Sequence, residues 1–107
     1  MRILTTEHVP GARVTASLGL VRGSSIRARH LGKDILAGLR NITGGEVHEY
    51  SKLLGESREQ SVDRMIDEAQ ALGADAIIGV RFQTSMVMTG AAEMLSYGTA
   101  VTIENSD

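Results

Sequence analysis

The chain has 107 residues, 42% hydrophobic and 22% charged, with a net charge of −2. That mix suits one folded domain over residues 1–107 and excludes the basic footprint that a nucleic-acid backbone requires. The only aromatics are Tyr50, Phe82 and Tyr97, too few to stack bases, and the lack of cysteine removes disulfides and thiolate metal sites.

The N-terminal MRILTTEHVPG has no apolar segment of signal-peptide length, and no run approaches the roughly 20 apolar residues of a membrane span, so a cytoplasmic protein is expected. Ile3, Leu4 and Thr5 read as a short strand before the turn at Pro10-Gly11. Val14, Ala16, Leu18, Leu20, Ile26 and Ala28 then alternate with polar residues, which predicts a long strand with this set buried. Gly19 and Gly23 read as bends or bulges that leave the phase intact.

Leu31, Ile35, Leu39 and Ile42 recur at helical spacing, and Gly44-Gly45 ends that helix. A second helix is predicted from Glu46 to Leu72, carried by Val47, Tyr50, Leu54, Val62, Met65, Ile66 and Ala69. Gly55 is a candidate kink, and Gly73 stands where a left-handed cap would fall. Two alternating runs, Ala76 to Met88 and Leu95 to Ile103, predict an antiparallel hairpin.

The result is an α+β order: strand, helices, hairpin. A small antiparallel sheet under a helix of about 40 Å leaves strand edges and an overhang uncovered. The expectation is that other copies of the chain cover them.

Histidines and carboxylates supply the metal candidates. Glu46, His48 and Glu49 cluster just after the glycine pair, but Glu46 and Glu49 share a helix face that His48 does not. They cannot converge on one ion from one helix. The alternative is a solvated helix start whose acids sit favourably at the positive end of the dipole. Glu59, Asp63 and Asp67, at i, i+4 and i+8, form a second row that could offer oxygen ligands to a hard cation between chains. Arg58 and Arg64 flank that row and could instead neutralise it, leaving a solvated or salt-bridged face.

His8 and His30 are isolated and lack the fixed spacing of a zinc motif. Arg27 and Arg29, with Lys33 nearby, could hold a small anionic ligand or form a wet sheet face. Met86 and Met88 read as core or interface residues rather than soft-metal ligands. No phosphate loop, dinucleotide fingerprint or nucleophile elbow is present, so the chain reads as non-enzymatic, with a composite active site between subunits as the enzyme alternative.

Four stretches together resemble a known family: Leu18-Gly19-Leu20-Val21-Arg22-Gly23, Ile42-Thr43-Gly44-Gly45-Glu46, Ala71 to Phe82 (ALGADAIIGVRF), and Met94 to Val101 (MLSYGTAV). In this order they look like the YbjQ-like family, small bacterial and archaeal proteins that carry a heavy-metal-binding label. The resemblance covers Ile3 to Ile103. It implies a dodecin-like β-α-β-β subunit, with the small antiparallel sheet on a long helix, assembled as a ring-shaped homopentamer. Gly45, Glu46 and Tyr50 match the family pattern, whereas His48 and Glu49 depart from it, so no shared metal role passes to His48.

Two functional readings follow. One is a pentameric module that binds a divalent metal ion or small ligand at subunit interfaces. The other is a structural scaffold that recruits a protein partner.

Overall fold

The computed structural model describes residues 1–28, 44–88 and 91–106, and for 27–28, 44–51 and 87–88 it describes the backbone alone. Among the described residues the fold holds four strands and one helix: β1 (Arg2–Ile3), β2 (Ala12–Ala28), α1 (Gly44–Ala71), β3 (Ala76–Met88) and β4 (Ala91–Asn105). The sheet order is β1-β3-β4-β2, with β4 antiparallel to both β3 and β2. The predicted helix over 31–42, with Arg29, His30 and Lys33, lies outside the described residues.

The predicted hairpin forms, from the pairing of Ala76 with Val101 up to that of Met88 with Ala91. Register shifts between Ile78 and Arg81 and between Met86 and Met88 break its alternation, so Ala76 and Val80 enter different cores. The sheet is not purely antiparallel, however. β1 joins as a fourth strand and pairs parallel to β3, Arg2 with Ala76 and Ile3 with Ile77. The segment after β1 continues that edge, since the Val80 and Gly79 amides donate to the Leu4 and Thr6 carbonyls. A parallel partner needs a long crossover, here nearly the whole domain, which local alternation cannot announce.

The two faces of the sheet carry separate cores. Under α1 lie Val21, Ile77, Val80 and Ala100, packed on Met65 and Ala69 of the helix. On the opposite face, Ala76 and Val101 are buried beneath Leu4 and Val9 of the N-terminal segment.

The buried face of β2 is the reverse of the expected one. The residues beneath α1 are Val21, Gly23 and Ser25, while Leu20 and Ile26 are 62% and 60% exposed on the other side. Two register shifts also split the predicted set between the two faces. One falls between Val14 and Ala16 and one between Ser17 and Gly19, where Gly19 adopts φ +101°. Each shift inverts the alternation, so Val14 and Leu20 end on the same outer face while Leu18 turns toward the helix core.

Gly23 is not a bulge. It lies in regular register opposite Ser96, and a Cβ there would overlap the Ser61 carbonyl and the Met65 amide of α1. The glycine lets helix backbone rest on strand backbone.

The helix runs unbroken through Gly55 and ends at Gly73, φ +79°. The Ala74 amide donates to the Ala69 carbonyl and the Gly73 amide to the Gln70 carbonyl, the paired bonds of a Schellman cap. From Ser57 back to Gly44 the helix rises about 20 Å, while β2 extends only about 10 Å beyond Ser25. The first turns of α1 therefore project past the end of the sheet.

Candidate functional site

α1 reaches the upper sheet through hydroxyls rather than hydrocarbon. Ser25, Ser57, Ser61 and Ser96 are all buried to within 1%. The Ser57 hydroxyl donates to Ser25 at 3.1 Å, and Ser25 donates to Oε1 of Gln60 at 2.8 Å. Ser61 donates to the Arg58 carbonyl at 2.8 Å and lies 2.5 Å from the Ser96 hydroxyl. Because Ser61 has one proton and uses it on Arg58, Ser96 is the donor between the two. Each chain of hydroxyls runs one way and ends on a carbonyl-type oxygen, so these buried groups are partnered.

This seam was not anticipated from the sequence. Serines at 57 and 61 look like ordinary polar helix positions, and only the one-turn spacing that continues into Met65 and Ala69 marks them as facing the sheet.

Beside the seam, at the outer edge of β2, a cleft of about 540 Å³ is lined by Arg22, Ser24, Arg64, Glu68, Glu93 and Leu95. Arg64 donates from Nη1 to the Ser24 carbonyl at 2.5 Å. It therefore turns toward the sheet rather than toward the carboxylates of its own helix. The ion pair among the described residues is elsewhere, between Arg13 and Glu104 at 2.5 Å, and its exposure makes it worth little.

The predicted carboxylate row is exposed along α1 at Glu59, Asp63 and Asp67. Glu59 and Asp63 share a surface cleft of about 480 Å³ with Lys52, Glu56, Arg58 and Gln60. Among the described residues no three histidine or acidic side chains converge within one chain. Glu46, His48 and Glu49 fall in the opening turns of α1, the part that projects past the sheet, and only their backbone is described.

His8 is exposed near the N-terminal turn, where its carbonyl accepts from the Thr6 hydroxyl at 2.7 Å. Met86 is 71% exposed, so it is not core within a single chain. No helix is long and apolar enough to cross a membrane among the described residues.

A family model described as "Putative heavy-metal-binding" matches residues 1–104. The chain is 57% identical over 105 residues to a UPF0145 protein of Methanosarcina acetivorans, covering 98% of this chain and 99% of that one. It is 58% identical over 99 residues to a UPF0145 protein of Archaeoglobus fulgidus, covering 92% of each. A crystal structure of a protein of unknown function from the DUF74 family of Pediococcus pentosaceus superposes with a TM-score of 0.62 at 20% identity. The match covers 97% of this chain and 98% of that one, and at this identity it speaks to the fold alone.

Proposed function

Because the chain belongs to the YbjQ-like family, whose model matches residues 1–104, we propose that it is a non-enzymatic, self-assembling module, a ring of five subunits that holds a divalent metal ion between neighbouring chains. One observation carries this reading: the chain's size is out of proportion to its core. The radius of gyration is 17.3 Å and the extents are 56 × 23 × 15 Å, against about 13 Å for a compact domain of 100 residues. Such a shape leaves Leu20, Ile26, Phe82 and Met86 between 48% and 71% exposed. Burial against other copies removes that apolar surface from water.

The metal follows from the charge on α1. Glu59 and Asp63 lie on the helix surface, one turn apart, and offer oxygen ligands suited to a hard cation. Among the described residues one chain supplies too few converging ligands, so a closed coordination sphere needs carboxylates from a neighbour.

Native mass spectrometry on protein purified without chelator or affinity metal tests both parts. The expected spectrum is a fivefold subunit mass that gains stoichiometric metal, with Asp63→Asn lowering the metal content while keeping the fivefold mass. A fivefold mass that takes up no offered metal removes the metal reading. A monomer removes the assembly.

A further inference from the structure

We propose that the β3–β4 hairpin, on the face it shares with α1, holds a soft monovalent cation of the copper(I) class between the thioether sulfurs of Met86 and Met94. The strand register sets the two side chains beside each other. Ser25, which bonds Ser57 and Gln60 of α1, pairs with Met94, and Met94 pairs in turn with Thr84. Met86 pairs with Ala92, two residues further along both strands, with no register shift between the two pairs. Met86 and Met94 are therefore diagonal neighbours on one face. Such neighbours stand about 7–8 Å apart, a span that long side chains close.

The Met94 sulfur is aimed at this place. The Thr84 hydroxyl donates to Met94 Sδ at 3.3 Å, which turns the sulfur toward β3, the strand that carries Met86, and away from Ser25 on β2. A thioether sulfur has two lone pairs, and the hydroxyl takes one of them. Met94 is only 7% exposed, whereas Met86 is 71% exposed and has three rotatable bonds with which to reach across. One donor is held in place, and the other is free to close on an ion.

The donor set selects the class of ion. Phe82, Thr84 and Met86 of β3 share this face with Ala92, Met94 and Ser96 of β4, and none of the six carries a charge. Magnesium and calcium take hard oxygen ligands, and zinc takes thiolate, imidazole or carboxylate. Thioethers are soft and favour copper(I). They also carry no proton to lose, so affinity here stays flat between about pH 5 and 8, unlike that of a histidine or carboxylate site.

The site draws on neither the carboxylates of α1 nor the assembly proposed above. An ion held by two sulfurs needs no water, so burial of Met86 against another copy leaves the site intact.

Methionine-methyl NMR tests the proposal. The protein, carrying ¹³C-methyl methionine, is titrated with silver nitrate in chloride-free buffer, silver(I) being a stand-in for copper(I) that does not change oxidation state. The methyl resonances of Met86 and Met94 are expected to move together and to saturate at one ion per chain. Those of Met1, in the separate strand β1, and Met65, fully buried under α1, stay in place. Met86→Leu keeps the side-chain volume at an exposed position, so the fold survives. It lowers the affinity for silver(I) by about tenfold or more and leaves the Met94 methyl unmoved.

Movement of the Met86 methyl alone, undiminished by Met94→Leu, would reduce the site to a single surface thioether and overturn the proposal. Silver uptake that moves neither methyl would overturn it too, as would an affinity that rises with pH through the histidine range. Magnesium titrated in the same way is expected to move neither methyl, so this site and the carboxylate site on α1 stand or fall separately.

Discussion

Ser61 and Ser96 lie 2.5 Å apart, but they are not equivalent partners, because the Ser61 proton is committed to the Arg58 carbonyl. Ser61→Ala leaves the buried Ser96 hydroxyl hydrogen without an acceptor, a loss of about 1–3 kcal/mol. Ser96→Ala removes a donor while Ser61 keeps its bond to Arg58, so it costs less, roughly 1 kcal/mol or under. Urea denaturation of the two variants checks this order. Equal losses, or the reverse order, would show that the proton runs the other way. Gly23 sets the same scale of precision, because its missing side chain is what allows the seam to close. Of this the sequence shows only the one-turn spacing of Ser57 and Ser61 with Met65 and Ala69. Serine and glycine look alike in loops, on helix surfaces and in close-packed seams, and only the partner strand tells them apart.

At the scale of elements, the strands and α1 could be read from periodicity and caps. Gly73 takes the left-handed cap expected of it, and the two predicted strands pair as an antiparallel hairpin. The face of β2 could not be read, since its apolar set lies outward and its seam with α1 is polar. A short strand before Pro10 was legible at Ile3 to Thr5, but its parallel place beside β3 was not, since that pairing spans some seventy positions of chain. The candidate site divides the same way. The carboxylate row was visible as a spacing, whereas the cleft at the β2 edge depends on residues from three elements.

Gly55 within α1 gives an element-scale prediction. The helix continues through it unbroken, and an added Cβ would meet only the end of the Arg58 side chain, at 4.0 Å. Gly55→Ala therefore stabilises by about 1 kcal/mol, mainly by restricting the unfolded chain. A rise in the denaturation midpoint with unchanged slope checks it, and a fall would mean that the glycine serves a contact made only in the assembly.

For the whole molecule, Leu20 and Ile26 are the decisive pair. Within one chain they are mostly exposed, so charging them should leave the fold alone. In a ring that covers this part of the sheet, the double variant Leu20→Lys, Ile26→Lys buries two unpaired charges and disrupts assembly. The expected result is a lower mass by sedimentation with an unchanged circular dichroism spectrum. A full-size oligomer from this variant would place both residues at free surface.

The order in which the strands meet has a kinetic consequence. Among the described residues β2 pairs with β4 alone, through pairs such as Ala12 with Asn105, and β1 with β3 alone. As the chain leaves the ribosome, its first two strands wait for the last two, and among the described residues no early hairpin stands in for them. Such long-range pairing belongs to the slow end of folding rates. Until β4 emerges, the apolar residues of β2 have no sheet to join, so the nascent chain depends on dilution or a chaperone during that interval.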